Sequence, residues 1–184
     1  MKVYIGPYTK SDKNRRINIR IDKYDTWSMD ATLALLIVPM LKQLKKTTHG
    51  SPYVDMEDVP ENLRDPVNEP SDDSNFHKRW QWILSEMIWA FEQSNKNWES
   101  KFHTGKADIW FQPLDKDNNP VGKSYKRGSK ESKKMLKDKT VVSTEMIRGP
   151  KDTTHFDKDG YNKHLDRIRN GHRLFGKYFM NLWD

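Results

Sequence analysis

The sequence predicts an α+β fold: three long apolar helices packed with a small, mainly antiparallel sheet. Three observations carry this. Apolar residues recur every three or four positions in three long stretches, near 28–46, 75–94 and from 161 onward. Between and before them lie short runs with strand character, closed by glycine, proline and other turn-forming residues. The chain, 184 residues with no internal repeat, has the length of a single domain spanning 1–184.

In chain order, residues 2–5 read as a short strand closed by Gly6 and Pro7. Ile17, Ile19 and Ile21 alternate with Asn18, Arg20 and Asp22, the period of a strand with one buried face. The first helix follows, with Asp25, Thr26 or Ser28 as its cap. Leu33, Leu36, Ile37, Met40, Leu41 and Leu44 form one stripe, and Ala31, Leu35 and Val38 lie opposite. A helix apolar all round is expected at the centre of the fold. Pro39 removes a hydrogen-bond donor and predicts a kink, and Gly50 marks the stop.

Residues 47–75 are an acidic, proline-rich loop in which 59–64 can make one helical turn starting at Pro60. The second helix repeats the apolar spacing with Trp80, Ile83, Leu84, Met87, Ile88 and Phe91, capped by Asp73 or Ser74. Residues 107–113 and 139–147 read as strands, with a turn at 115–120. Residues 114–138 are expected to be an exposed basic loop, because 123–137 hold seven bases and one acid. The third helix carries Leu165, Ile168, His172, Phe175, Phe179 and Leu182 as one seam. Gly171 and Gly176 each cost a helix about 1 kcal/mol relative to alanine. They point to close approach by another backbone or a ligand, or to a break.

The absence of cysteine excludes a disulfide framework, a thiolate zinc site, an iron–sulfur cluster and a cysteine nucleophile. The start has no apolar run suited to a signal peptide, and the longest apolar stretch, 33–41, is far short of the about twenty residues a membrane helix needs. A protein neither secreted by such a signal nor integral to a membrane is expected. The net charge of +7 is uneven: residues 47–75 hold one base against eight acids, so the rest of the chain stands at +14. A basic body with one acidic loop is either ordinary solvated charge or an attractor of an anionic partner.

Several motifs fail on inspection. Gly122-Lys123-Ser124 mimics the end of a phosphate-binding loop, but Asp117 stands where its first glycine belongs. Asp115, Asp117 and Asn119 mimic a calcium loop, but Pro120 and Lys126 replace the required glycine and glutamate. His49, Asp55, Glu57 and Asp58, with His77 and His103, are a weak metal-binding set, and no metal or cofactor is assigned.

The candidate ligand-binding residues lie on two helices. Trp82, Glu86, Trp89 and Gln93 fall nearly opposite the core stripe of the second helix. This face either packs inside the protein or a dimer, or stacks a base while Glu86 accepts from its exocyclic N–H. On the third helix, Arg167, Arg169, Arg173 and Lys177 surround His172. Either they are a solvated face or they hold phosphate, which guanidinium groups bind in bidentate fashion. His172 is either a core histidine or a ligand contact whose pKa burial lowers.

The strings IGPY, RIDKYDTWSMDATLALLIVPMLKQLK, HGSPYVDMEDVPENLR, HKRWQWILSEMIWAFEQ and RIRNGHRLFGKYFMNLWD resemble a family of small tailed-phage proteins of T4-like and marine phages. The likeness covers residues 1–8, 17–64, 76–93 and 146–184. It implies a place in the cytoplasm of an infected bacterium, and it carries no catalytic residues. Members have a further, largely helical stretch between the GPY opening and the RID strand. Here only residues 9–16 connect them, so the resemblance implies a shortened form, natural or engineered.

Three functions are expected from these features. The first is an accessory protein, serving host takeover or anti-defence, that binds a nucleotide or nucleic acid. Trp82 and Trp89 would stack, Glu86 would read a base edge, the α-helical cations would hold phosphate, and loop 47–75 would be a lid. The second is a metal-dependent phosphodiesterase or nuclease. The third is a protein-interaction or virion component, a homo-oligomer or a partner of a host protein, using the tryptophan face and residues 123–137.

Overall fold

Trp80, Ile83, Leu84, Met87 and Ala90 are wholly shielded from solvent, so helix α2 (Phe76–Gln93) is the element around which its neighbours pack. The computed structural model describes residues 1–6, 16–64, 74–138 and 141–183. These fall into two compact units, Met1–Asn97 with Lys163–Asp184, and Trp98–Asn162. The fold mixes helices with small antiparallel sheets, as expected.

In the first unit, β1 (Lys2–Ile5) and β2 (Ile17–Arg20) pair antiparallel, Lys2 opposite Arg20 and Ile5 opposite Ile17. The expected buried face is not found among the described residues: Val3, Ile5, Ile17 and Ile19 are all exposed. Helix α1 (Met29–Thr47) continues through Pro39. Ser28 occupies its N-cap position without a side-chain bond; Asp25 instead accepts from the chain's amino terminus and from the Asp22 N–H. Asn75 likewise precedes α2 without capping it through its side chain. Two 3-10 turns, Met56–Asp58 and Glu61–Leu63, shape the acidic segment, and Val54 and Val59 from it reach the core. The remainder of that predicted loop, 65–73 with the proposed cap Asp73, lies outside the described residues.

Helix α4 (Lys158–Lys177) ends in a 3-10 turn at Phe179–Asn181. Two corrections to the helices follow. They are not long apolar helices buried throughout: among the described residues α1 buries only Ala34 and Leu41, and α4 buries only Ile168, Gly171 and Leu174. And α2, not α1, is central. Chain-wide apolar character cannot tell a helix covered on both sides from one whose second side remains open.

The second unit holds a three-stranded antiparallel sheet ordered β5–β4–β6, with β4 (Ile109–Leu114), β5 (Tyr125–Lys126) and β6 (Ser143–Arg148). A two-stranded pair, β3 (His103–Thr104) and β7 (His155–Phe156), stands apart from it. At 115–120 the Asp115 carboxylate accepts from the Asp117 and Asn119 N–H groups, and Asn118 takes a left-handed φ of 61°. Asp115 is thus engaged by the turn itself. The predicted basic loop 114–138 is partly built: it contains β5 and the short helix α3 (Lys130–Met135), which buries Ser132 and Met135. Ser129 caps α3, its hydroxyl accepting from the Ser132 N–H.

Candidate functional site

On α2, Glu86 and Gln93 are buried and Trp82 and Trp89 half-buried. The reason is α4. Gly171 lets the two backbones approach: a Cβ there would stand 2.3 Å from the Ala90 Cβ and 2.7 Å from the Glu86 carbonyl oxygen. At that closeness the Arg167 guanidinium grips Glu86 in bidentate fashion, Nε to Oε2 at 2.9 Å and Nη2 to Oε1 at 2.8 Å. Its carbon lies 3.9 Å from the centre of the Trp89 ring, and the His164 ring packs 5.0 Å from that ring. Glu86 in turn holds Arg167 further above its ordinary pKa. The expected base-stacking platform is therefore an internal contact between α2 and α4. Trp82 packs against the core cluster.

The basic stripe of α4 meets the acidic segment. Arg173 Nη2 donates to Asp58 Oδ1 at 2.5 Å. Lys177 Nζ stands 2.6 Å from both Asp55 and Asp58 and 3.4 Å from Glu57. The Tyr178 hydroxyl donates to Asp58 Oδ2 at 2.7 Å and accepts from the Asp55 N–H at 3.0 Å. Asp58, with its side chain 2% exposed, is the centre of this network. Burial pushes its carboxyl up, but Lys177, the Tyr178 hydroxyl and Arg173 outweigh burial and hold it below the ordinary carboxylate value. Burial and Asp58 push Tyr178 up to about 12. Asp55 and Asp58 raise Lys177. Among the described residues Arg169 pairs with exposed Asp166 alone, at 3.3 Å. His172 is solvent-exposed as a residue, yet its ring packs 4.8 Å from Phe91; desolvation lowers its pKa against the opposing pull of Asp30.

Seven of the eight candidate residues are thus engaged inside the first unit, Trp82, Glu86, Trp89, Arg167, Arg173 and Lys177 together with the ring of His172, which leaves Arg169 in an exposed pair. The members of the weak metal-binding set have other partners: Asp55, Glu57 and Asp58 face Lys177. His77 shares a 2.7 Å hydrogen bond with Ser51, and His103 stacks on Phe156. Among the described residues no group of three or more such side chains is placed to hold a metal ion.

A cluster of open cations lies in the second unit. Lys130, Lys133 and Lys134 of α3, and Lys137 just beyond it, follow the i, i+3, i+4, i+7 spacing of one helical face. Ser132 and Met135 anchor the opposite side. Lys123 and Arg127 precede this face and are also exposed. Among the described residues none of these six forms an ion pair with a carboxylate. Lys126 differs: it lies 3.3 Å from buried Asp108, which also accepts from the Trp110 indole and the Lys151 N–H. Burial raises Asp108, but these partners together bring its carboxyl below the ordinary value. The lysine spacing was a signal present in the sequence, hidden only while the segment was read as a loop.

Among the described residues no helix is long and apolar enough to cross a membrane. No family model matches the chain, and neither curated proteins nor solved structures provide a significant match.

Proposed function

We propose that this chain binds the sugar–phosphate backbone of nucleic acid through the lysine face of α3, as a non-enzymatic accessory protein. The observation that supports this is the contrast between two basic stripes. On α4 the cations are largely neutralised by carboxylates. On α3 they are exposed, unpaired with carboxylates among the described residues, and fixed by a buried side. Side chains at such positions lie about 5–6 Å apart at Cβ, which suits successive phosphates along a strand. Lysine gives a point charge without base discrimination, so binding should be sequence-tolerant and salt-sensitive. The likeness to tailed-phage proteins supplies the setting, the cytoplasm of an infected cell. A hydrolase reading finds less support, since Asp55, Glu57 and Asp58 face Lys177 and Arg173.

The test is fluorescence anisotropy with labelled single-stranded and duplex oligonucleotides across a salt series. In the variant carrying Lys130→Gln, Lys133→Gln, Lys134→Gln and Lys137→Gln, the slope of log K against log salt should become shallower. The expected change is about 0.7 per contacted phosphate lost on a single strand and about 0.9 on duplex. Arg169→Gln on α4 should leave the slope as in the parent. Binding that the four lysine changes do not alter would exclude α3 as the site.

A further inference from the structure

Beside the lysine face, the second unit holds a pocket of about 380 Å³, within the about 300–1,000 Å³ of small-ligand sites. Its floor is apolar: Pro113 and Met135 are buried, and Tyr125 lines the wall half-buried. Its rim is charged, with Glu131, Lys134 and Asp138 exposed. Glu131, Lys134, Met135 and Asp138 recur at i, i+3, i+4 and i+7, so one side of α3 and of the turn after it looks into the pocket. Lys134 belongs both to this row and to the row of Lys130, Lys133 and Lys137, so the pocket opens directly beside those cations. Among the described residues the Glu131 carboxylate has no hydrogen-bond or ion-pair partner.

We infer that this pocket takes an unpaired nucleobase, guanine above all, from a single strand whose phosphates lie on the lysine face. The inference rests on the nucleic-acid reading of that face and adds what the strand must be. Charge assigns the two parts. Phosphate is attracted by the six open cations and repelled by Glu131 and Asp138, so it stays on the lysine row outside the pocket. A cationic ligand would suit the two carboxylates but is repelled by the same lysines. A neutral base carried on an anionic backbone suits both. Inside the pocket the Tyr125 ring offers a stacking surface above the apolar floor of Pro113 and Met135. At the rim, the ionised Glu131 can only accept hydrogen bonds. Guanine presents two adjacent N–H donors on its pairing edge, which one carboxylate can accept together. Thymine presents one donor between two carbonyl oxygens, which a carboxylate repels. A base paired in a duplex has that edge occupied, so a single strand is required.

Fluorescence anisotropy of the full-length protein tests it, with labelled oligothymidine and the same strand carrying one central deoxyguanosine. The parent should bind the guanine strand about tenfold more tightly than oligothymidine. The corresponding duplexes, with and without the guanine–cytosine pair, should bind alike. Glu131→Ala should lose the guanine preference while binding oligothymidine at least as tightly as the parent, because a charge that repels phosphate has gone. A merely structural role for Glu131 would instead weaken both strands. Tyr125→Leu should weaken the guanine strand about tenfold with the salt slope of the parent, a readout that stands even if Glu131→Ala misfolds. A salt slope that responds to the four lysine changes, with equal affinity for the two strands, would overturn this inference and leave the lysine face standing. Binding that the lysine changes do not alter would overturn both. A guanine preference that survives both Glu131→Ala and Tyr125→Leu would place the base elsewhere and overturn the inference equally.

Discussion

Gly171→Ala is expected to lower the urea unfolding midpoint, while Gly176→Ala, five residues along the same helix, is expected to raise it. On propensity alone both changes favour the helix by about 1 kcal/mol. At position 171 the new methyl would stand 2.3 Å from the Ala90 Cβ and 2.7 Å from the Glu86 carbonyl oxygen. Neither neighbour can swing aside, since one is a fully buried methyl and the other is backbone of the central helix. Relief requires α4 to move off α2, which also loosens the grip of Arg167 on Glu86 and Trp89. Overpacking of this kind costs about 1–3 kcal/mol against a helix gain of about 1 kcal/mol, so the net loss should be about 1 kcal/mol, or about 2–4 °C in melting temperature for a chain this long. At position 176 a Cβ meets nothing within 4 Å. The gain there is a fraction of 1 kcal/mol because the helix ends at the next residue. A Gly171→Ala variant as stable as the parent would show that the two helices do not approach as described.

That pair of glycines also marks how far the sequence could be read. The periodicities placed α1, α2, β1, β2 and β4 within a few residues of their observed bounds, because periods of 3.6 and 2 are local properties of the chain; they placed the start of α4 as well, but that helix stops at Lys177 instead of running on to the end. Two glycines in the third helix pointed to close approach by another backbone or a ligand, or to a break; Gly171 makes a close backbone approach, but nothing local distinguishes it from Gly176 in open space. The centre of the fold was misplaced for a similar reason. Residues 33–44 are more uniformly apolar than 80–91, yet α2 carries Trp80 and Glu86 inside while α1 leaves Leu35 and Met40 exposed. Burial is decided by what lies across the gap, and Arg167 is 81 residues from Glu86 in sequence. The same holds for the candidate site. Trp89 and Glu86 were grouped correctly on one face, and the arginine that closes that face was identified as well. Their pairing with one another is a tertiary fact. The lysine face on α3 shows the opposite failure: its spacing was legible, but a run of seven bases masks helical character that Ser129 and the buried Met135 establish.

Asp58→Asn should destabilise the first unit by about 3 kcal/mol at neutral pH, the low end for breaking a buried ion pair because Arg173 and Lys177 keep partial access to water. The substitution preserves shape and removes the charge on which Arg173, Lys177 and the Tyr178 hydroxyl converge. The pH dependence separates this from a packing defect. Asp58 has a folded-state pKa below the ordinary 3.8. Its contribution is therefore full above that value and disappears as pH falls through the depressed one, so parent and variant should converge in acid. Tyr178 acts at the other limit. Its folded pKa is raised to about 12, so the neutral hydroxyl contributes fully below pH about 10 and is lost as pH climbs toward 12. Tyr178→Phe should accordingly reduce the alkaline loss, of which Lys177, also raised by Asp55 and Asp58, keeps a share, while leaving the acid one in place. Urea titrations at intervals from acid to alkaline pH read both limits. An Asp58→Asn penalty that stays constant into strong acid would mean that the aspartate acts there as a space-filling polar group, and that the acidic segment is not held to α4 by charge.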